Sequence, residues 1–387
     1  MNSIDYWYAM VVEERSFEKN ILEAMKREIP CMVSAILERS CNLSCSHCLY
    51  TESLSSKGFS ESADITDVIV NMLTQVERPF FLHEGRILRK WHMDVFSLIR
   101  QKLPEANIGL IDNGTYLRLL GAFREQKIRL NWLDISLDGA ETAHNLQRGN
   151  QKAYSVAITG LESARLVSDK VTSLMTLTSI NYADISATVD MLFSRALVDE
   201  FHVTTMTPYL PSNFSIEITE EEFRVAWRQL VNVFQKYPDK IFFKIYRHQD
   251  LMKIAKAVGY EKFWKAFTRE SDSPEGPAVG VGDGFVEIVI DNVAVRYFPA
   301  SIVLTETFLI DADGAYRTGG AQQYTLQELR RGVSNQGDAI NQYTFTPLTP
   351  TSKFAQVYED SVNYWWKYWG ANFLSQEKEA FQIIAKG

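Results

Sequence analysis

The sequence contains little cysteine, and what it has is concentrated near the N-terminus. Four cysteines occur in 387 residues, and none of them follows Cys48. Cys41, Cys45 and Cys48 share one short segment, whereas a disulfide framework would spread its cysteines along the chain. Grouped thiols are typical of metal sites, so the spacing favours a metal centre in a reducing compartment over disulfide bonds.

Three other features are missing, and each one excludes a class of protein. No run of about 18 uncharged apolar residues occurs, so no membrane span is expected. The first twenty residues contain acidic side chains too early for a signal peptide. Lys and Arg number 40 against 48 Asp and Glu, giving a net charge of −8, whereas a nucleic-acid binder usually has a basic surplus. We therefore predict a cytoplasmic protein with no membrane or nucleic-acid partner.

The first half of the chain alternates apolar β-rich runs with amphipathic helical stretches. The predicted strands are Cys31–Leu37, Pro79–His83, Ile108–Asp112, Trp132–Leu137, Val171–Thr178 and Glu200–Thr207. The predicted helices between them are Ala63–Val76, Lys90–Leu103, Leu117–Lys127, Ala153–Leu166 and Ala183–Ala196. Strands that alternate with helices indicate an α/β fold with a parallel sheet. Six such units predict a partial (β/α)6 barrel rather than a complete (β/α)8 barrel.

The pattern changes after about Pro211. A capping box from Thr219 to Glu222 predicts a helix that ends near Tyr237. The remaining predicted elements are a helix near 250–267, a loop over 271–284, a hairpin of 285–290 with 293–298, a strand over 306–310, a turn over 311–314, and helices near 354–369 and 376–385. We accordingly predict an N-terminal extension (1–30), a partial barrel (31–210) and a smaller C-terminal α+β region (211–387).

The three clustered cysteines follow the first predicted strand with the spacing C-x3-C-x2-C. Loops at the carboxyl ends of barrel strands carry catalytic groups. Thiolates suit iron–sulfur clusters or zinc, and three of them leave one iron of a [4Fe–4S] cluster without a protein ligand. A structural zinc site would need a fourth ligand, for which His47 is the nearest choice, and the sequence has no second C-x2-C pair. We predict one [4Fe–4S] cluster on Cys41, Cys45 and Cys48.

This motif, with His47 and Tyr50 flanking the last cysteine and a strand before the first, resembles the radical S-adenosylmethionine (SAM) superfamily. The resemblance implies that SAM binds the open iron through its amino and carboxylate groups. It implies that one electron, from a flavodoxin or ferredoxin, cleaves SAM to a 5′-deoxyadenosyl radical that abstracts hydrogen from a substrate. It also agrees with the six predicted βα units.

The resemblance further implies a set of SAM contacts. Glu84 follows the second strand, where family members have a Gly-Gly-Glu-Pro-like stretch. The paired glycines of that stretch are absent here. His83 is a second polar residue at this strand end. Asn113 lies in an Asn-Gly-Thr element like one near the SAM ribose, although Asn and Gly also suit an ordinary turn.

The segment after the fourth strand, from Ser136 and Asp138 to Arg148, is similar to the "SLDG…HD…RG" stretch of SPASM-type peptide and protein maturases. Ser136, Asp138 and Arg148 are thereby predicted to contact SAM or substrate. His144 is interpreted as a brace for this loop. Asn181 is either part of a similar step after the fifth strand or a helix N-cap. No residue is assigned a catalytic proton or hydrogen transfer.

The C-terminal region resembles a SPASM region over 308–316 and 324–332, yet the absence of cysteine after Cys48 means that it cannot bind an auxiliary cluster. Without that electron acceptor, a redox-neutral ending such as epimerisation, rearrangement or fragmentation is favoured. Only Cys31 remains as a spare thiol, which weakens the epimerase interpretation.

Three functions stay open at this point. The favoured one is maturation of a ribosomally made peptide, for which a separate leader-binding protein is expected because residues 1–30 are too few for a fused leader-binding domain. The second is an enzyme acting on a small molecule, such as an aminosugar, nucleoside or amino acid. The third is a binding scaffold that retains a cluster without catalysis.

Overall fold

The computed structural model describes residues 32–38, 40–48, 63–75, 79–84, 87–206, 211–246, 248–267, 279–280, 285–297, 307–310, 316–318, 351 and 353. Several predictions lie outside the described residues. They are the extension 1–30, most of the loop 271–284, the turn 311–314, the SPASM-like segment 324–332 and the two helices near 354–369 and 376–385.

Twelve strands are present among the described residues, and all of them belong to one sheet. Their bounds are β1 Met32–Ala35, β2 Phe80–His83, β3 Asn107–Asp112, β4 Leu130–Ser136, β5 Ser168–Leu177, β6 Glu200–Thr205, β7 Ile241–Ile245, β8 Val279–Gly280, β9 Phe285–Ile290, β10 Val293–Tyr297, β11 Thr307–Ile310 and β12 Tyr316–Thr318. The order across the sheet is β12-β11-β1-β2-β3-β4-β5-β6-β7-β10-β9-β8.

The helices connect successive strands. Their bounds are α1 Ala63–Thr74, α2 Lys90–Lys102, α3 Leu120–Glu125, α4 Glu141–Arg148, α5 Ala153–Ser163, α6 Ile185–Ser194, α7 Pro211–Phe214, α8 Glu220–Lys236, α9 His248–Val258 and α10 Tyr260–Phe267. Two short 3-10 helices, Thr115–Leu119 and Ala164–Leu166, accompany α3 and α5.

The six predicted βα units are confirmed. Strands β1 to β6 are parallel neighbours in chain order, and helices lie between each pair along the chain. The parallel part of the sheet is longer than predicted, because β7 and β10 extend it beyond β6 and β11 extends it beside β1. Within the described sheet, antiparallel pairing is confined to the two ends, where β12 pairs with β11, and β9 pairs with β10 and β8. The α/β fold class is therefore correct.

Burial alternates along the later strands and shows which face packs on helices. Ile241, Phe243 and Ile245 of β7 are fully buried, and the residues between them are half-buried. Helix α8 turns an apolar stripe toward the sheet, in which Phe223 and Trp227 lie near Phe243. Along β7 the core thus lies between one face of the sheet and its helices, while the opposite face is half-buried; β6 is buried on both faces.

The predicted capping box and the predicted hairpin turn are both confirmed. The Thr219 hydroxyl accepts a hydrogen bond from the Glu222 amide at 3.3 Å, and the Glu222 carboxylate accepts one from the Thr219 amide at 2.9 Å. The predicted hairpin is β9 with β10, and Asp291 and Asn292 both have positive φ, at 54° and 67°. Such a two-residue turn matches the twist of paired strands.

Other element boundaries differ from the prediction. The helix predicted near 117–127 begins as a 3-10 turn, because the Asp112 carboxylate accepts hydrogen bonds from Thr115 and Tyr116. The helix predicted near 250–267 is two helices, since Gly259 has φ of +92°. Strand β7 and helix α4 were not predicted.

The boundary predicted near residue 211 stays a prediction. Strand β7 lies beyond it and pairs in parallel with β6, from Phe201 with Ile241 to Thr204 with Lys244. The sheet is therefore continuous across this position. In the described ranges, the structure contains no helix of the length and apolarity needed to cross a membrane.

Candidate cofactor site at the carboxyl ends of the strands

The cysteine segment follows β1 at the carboxyl end of that strand. Cys45 is buried, Cys41 and Cys48 are half-buried, and none of the three is in a disulfide bond. They share a small apolar cluster with Leu43 and Ala153, the first residue of α5. The three predicted ligands thus lie together on one loop against a fixed helix.

Hydrogen bonds from outside the loop hold it in place. The Ser46 amide donates to the Gln147 carbonyl at 2.9 Å, and the Ser46 hydroxyl donates to the same oxygen at 3.2 Å. The Asn213 side chain donates to the Ser46 carbonyl at 2.5 Å. Elements far apart in sequence, the end of α4 and α7, therefore fix the middle of the cysteine motif.

Gly149 explains why a glycine follows Arg148. Its φ is +63°, and a Cβ built there would lie 2.5 Å from the Ser44 hydroxyl and 2.6 Å from the Ser44 carbonyl oxygen. A side chain at this position would push the cysteine loop away. The Arg-Gly pair at the end of α4 is thus a packing surface for the loop.

Arg148 and Asp138 form a buried ion pair beside Cys45. The Arg148 Nε donates to Asp138 Oδ2 at 2.5 Å, and its Nη1 lies 3.8 Å from the Cys45 sulfur. Burial opposes ionisation of Asp138, yet the Arg148 guanidinium outweighs it and the pKa of the carboxyl is lowered. Burial raises the pKa of the Cys45 thiol to about 11, against the opposing charge of Arg148. The guanidinium is the group that favours a thiolate here.

Asp138 is also tied to strand β5 and its loop. The Thr176 amide donates to Asp138 Oδ1 at 2.9 Å, and Asn181 Nδ2 donates to the Asp138 carbonyl at 2.9 Å. Thr178 Oγ1 donates to Gln147 Oε1 at 2.6 Å. Asn181 is therefore a bridge between the β4 and β5 loops and not an N-cap, since Asp184 precedes α6.

His144 braces this loop, as interpreted from the sequence. The Asp138 amide donates to its Nδ1 at 2.9 Å. Burial, aided by the neighbouring Arg148 charge, lowers the pKa of His144 to about 4, so the ring is neutral at pH 7. A neutral ring is required for a nitrogen that accepts a hydrogen bond.

Glu84 lies at the carboxyl end of β2, next to β1. Its Oε1 accepts a hydrogen bond from the Ser34 hydroxyl at 2.6 Å, and its amide donates to the Ala35 carbonyl at 3.1 Å. His83 does not join it, because side chains alternate along a strand. The His83 ring instead packs against His92 with ring centroids 4.8 Å apart.

Asn113 and Ser136 lie at the same edge of the sheet. Asn113 Nδ2 donates to Asn42 Oδ1 at 3.1 Å, inside the cysteine motif. Its own Oδ1 is buried without a partner among the described residues, so it has an acceptor available for a ligand. Ser136 is the last residue of β4, is buried and aligns with Leu174 of β5.

The donor set fits an iron–sulfur cluster by its chemistry. Three soft thiols lie on one loop beside a guanidinium, and His47 Nδ1 next to them is buried without a partner among the described residues. No three His, Cys, Asp or Glu side chains are already grouped as a metal site in the described part of the chain. Ligation by these three cysteines, and SAM contact by the five other residues, therefore stay predictions.

Comparison with known proteins shows similarity at low sequence identity. No protein-family model matches the chain. It is 26% identical over 183 residues to Fe-coproporphyrin III synthase of Methanosarcina barkeri (strain Fusaro / DSM 804), a match that covers 46% of this chain and 45% of that protein. The chain thus matches less than half the length of this curated relative. It resembles radical SAM enzymes. The cysteine motif and the six consecutive βα units both carry that resemblance.

Solved structures with a similar chain path include anSMEcpe with bound AdoMet and Cp18Cys peptide. That match has 13% identity and a TM-score of 0.48, and it covers 90% of this chain and 99% of that one. Streptococcus suis SuiB bound to precursor peptide SuiA has 11% identity and a TM-score of 0.48, over 81% of this chain and 67% of that one.

Several site residues were missed by sequence reasoning. Gln147 and Thr176 link Asp138 and the cysteine loop, and Asn213 reaches the loop from beyond the predicted boundary. Gln147 could have been found from the sequence, since it precedes Arg148 in the segment that resembles the maturase stretch. The contact of Asn213 had none, because no local pattern relates residues 167 positions apart.

Proposed function

We propose that this chain is a radical SAM enzyme with a single [4Fe–4S] cluster on Cys41, Cys45 and Cys48. The observation that carries the proposal is a contact between the cysteine motif and the segment that resembles the maturase stretch. The Arg148–Asp138 pair of the β4 segment lies against Cys45 of the β1 loop, although Arg148 and Cys45 are 103 residues apart in sequence. When bound, the cluster and SAM supply the radical that abstracts hydrogen from substrate.

The contacts of each residue refine the roles proposed for the SAM site. Both carboxylate oxygens of Asp138 already accept hydrogen bonds, from Thr176 and Arg148. Asp138 and Arg148 are therefore proposed as positioning residues for the cysteine loop. Asn113 retains a buried acceptor, and Glu84 lies at the adjacent strand end, so these two fit direct contact with SAM.

The favoured substrate is a residue of a ribosomally made peptide. The support is the similarity of residues 136–149 to the maturase segment, together with the SPASM-like C-terminal sequence. The favoured chemistry is redox-neutral, because no cysteine after Cys48 is available to bind an auxiliary cluster. The proposed partners are a flavodoxin- or ferredoxin-type reductant and, for a peptide substrate, a separate leader-binding protein.

A small-molecule substrate is the second candidate. The curated relative is named for Fe-coproporphyrin III, which is not a peptide. The two candidates differ in genomic neighbourhood: a short precursor gene beside this one supports the peptide, and genes for small-molecule biosynthesis support the alternative.

The proposal is tested on the full chain reconstituted anaerobically with iron and sulfide. About four irons per chain are expected, the content of one [4Fe–4S] cluster. With dithionite and SAM, 5′-deoxyadenosine should form and be detected by mass spectrometry. Cys45→Ala should lose both iron and product, whereas Cys31→Ala is the matched control and should keep both.

Two results would remove the proposal. Zinc in place of iron would indicate a structural site. Absence of 5′-deoxyadenosine from protein that holds four irons, with or without peptide, would leave a binding scaffold.

A further inference from the structure

The parallel strands turn one face toward their helices and the other face, which we call the inner face, away from them. Leu133 and Ile135 of β4 belong to the core that packs on the helices, so Asp134 between them points to the inner face. Lys244 of β7 points the same way, since the residues on either side of it are buried in that core. An acidic and a basic side chain therefore share the inner face.

Asp134 carries a buried oxygen that the protein does not use. Only 2% of the residue is exposed, and Thr172 Oγ1 donates a hydrogen bond to its Oδ2 at 2.6 Å. The Thr172 oxygen in turn accepts from Trp132 Nε1 at 2.7 Å. Asp134 Oδ1 has no hydrogen-bond partner among the described residues. Because buried polar atoms are almost always paired, this oxygen indicates a donor that binds from the inner face.

The inner face is partly open to solvent beside Asp134. Ile111 of β3, which is the Cα partner of Asp134, is half-buried, and so are Leu174 and Thr176 of β5. Lys244 is half-buried as well. The neighbours of these residues along each strand, which face the helices, are buried. A ligand can therefore approach Asp134 from the inner face and not from the helix side.

Lys244 supplies hydrogen-bond donors on the same face. Its ammonium lies 3.2 Å from His202 Nδ1, and the described residues give it no further hydrogen-bond partner. An ammonium has three N–H donors, so two of them are available to a ligand. Asp134 and Lys244 are each the strongest opposite charge acting on the other, yet no hydrogen bond or ion pair joins them in the described part of the chain. The space between them suits a bridging group.

Both groups are ionised at pH 7. Burial raises the pKa of Asp134 to about 6, against the hydrogen bond from Thr172, and burial lowers the pKa of Lys244 to about 8, against the charge of Asp134. An ionised carboxylate only accepts hydrogen bonds, and an ammonium only donates them. A ligand that satisfies both must therefore carry one donor and one acceptor.

We propose that Asp134 and Lys244 bind an amide group of the substrate between them on the inner face. The amide N–H donates to Asp134 Oδ1, and the amide carbonyl accepts from the Lys244 ammonium. An amide fits because it holds one donor and one acceptor in a single rigid plane. That this amide belongs to the substrate rests on the proposed function. A peptide bond and the ring amide of a small molecule share this chemistry.

The site is tested by the binding of small amides to the full reconstituted chain at pH 7. Trp132 reports on Asp134 through the Thr172 hydroxyl, so fluorine NMR of protein labelled with fluorotryptophan follows its resonance, which Trp132→Phe assigns. N-methylacetamide should shift this resonance in a saturable manner. N,N-dimethylacetamide lacks the N–H and should bind at least about tenfold more weakly, because a hydrogen bond to a charged group contributes that much. The resonance of Trp227, on helix α8, should not move.

Variants test the two partners separately. Asp134→Asn keeps an oxygen for Thr172 but replaces the unpaired acceptor with a donor, and Lys244→Met removes the donor to the carbonyl. Each should weaken binding of N-methylacetamide at least about tenfold. Lys256→Met breaks the exposed pair with Glu220 and is the matched control, which should bind normally. Unchanged resonances of the other tryptophans show that a variant is folded.

Equal binding of the two acetamides, or no saturable shift of the Trp132 resonance with either, would overturn the site. Normal binding by Asp134→Asn would overturn the role of that residue. Pyrrolidinone, a ring amide, distinguishes the two sources: tighter binding than N-methylacetamide supports a small molecule, and weaker binding supports a peptide bond. SAM is absent from the measurement, so a failure here leaves the radical SAM proposal intact, and a failure to form 5′-deoxyadenosine leaves the amide site intact.

Discussion

At the scale of single residues, the Arg148–Asp138 pair is the most consequential interaction of the site. Asp138 has no exposed side-chain surface and Arg148 has 10%. Removal of one partner from a buried pair leaves an uncompensated charge, which costs about 3–5 kcal/mol. Arg148→Met should therefore lower the free energy of unfolding by about that amount, measured by urea denaturation of the full chain.

The matched control is Arg165→Met, which breaks the exposed pair with Asp199. Such pairs contribute about 0.2–1 kcal/mol. The double variant Arg148→Met/Asp138→Asn should lose less stability than the two single losses added together. Equal effects of Arg148→Met and Arg165→Met would show that the buried pair does not form.

His83 gives a prediction about pH. Burial lowers its pKa to about 4, and neither ring nitrogen has a partner among the described residues. The unfolded residue has a pKa of about 6.5. Its folded pKa is depressed, so the unfolded chain binds the proton first and the protein loses stability as pH falls from about 6.5 to about 4. His83→Phe should reduce this loss by roughly 1 kcal/mol per pH unit in that window.

The comparison for this variant is His144→Phe, which also removes a buried imidazole with a pKa of about 4 and should reduce the acid loss to a similar extent. His144 accepts a hydrogen bond from the Asp138 amide, so its loss should destabilise the protein at pH 7 by about 1–3 kcal/mol. Denaturant titrations at several pH values measure both the stability at pH 7 and its loss as the pH falls. An unchanged acid profile in His83→Phe would contradict the description of His83 as a buried neutral ring.

At the scale of elements, the end of α4 decides whether the cysteine loop can keep its position. Gly149→Ala adds a Cβ that would lie 2.5 Å from the Ser44 hydroxyl, at a φ of +63°. We expect a loss of at least about 1 kcal/mol of stability, since left-handed backbone disfavours side chains, together with reduced iron content after reconstitution.

Gly121→Ala is the matched glycine control. Gly121 is exposed in α3, and a Cβ there would meet nothing within 4 Å. Helix propensity alone predicts that this variant gains about 0.5–1 kcal/mol of folding stability, and its iron content should be normal. If both variants retain the same iron, the contact between α4 and the loop does not matter for the cluster.

Elements with strong local patterns were predictable, and those defined by pairing were not. β1 to β6, the capping box at Thr219 and the hairpin turn at Asp291 follow from periodicity and turn chemistry. The five-residue strand β7 was missed because a short apolar run after a helix has no period of its own. Helix α4 was missed because its four buried residues are all polar: His144, Asn145, Gln147 and Arg148.

At the scale of the whole molecule, the sheet brings distant segments together in ways that no local pattern reveals. β11 lies beside β1 and β10 lies beside β7, so strands from the C-terminal region flank both sides of the six-stranded core. Only that register makes Lys244 of β7 and Arg296 of β10 direct Cα partners. The sequence was enough to predict that Cys41, Cys45 and Cys48 lie on a loop at the end of a strand. The residues that contact this loop could be identified only from the three-dimensional structure.

Cys41, Cys45 and Cys48 are proposed to hold a cluster with one iron open to SAM. This is tested most directly by electron paramagnetic resonance of the dithionite-reduced full chain, recorded before and after SAM is added. We predict the spectrum of one reduced [4Fe–4S] cluster, a change of that spectrum on addition of SAM, and no signal from Cys45→Ala. A cluster spectrum that SAM leaves unchanged would show that no iron is open to SAM, and a full signal from Cys45→Ala would show that Cys45 is not a ligand.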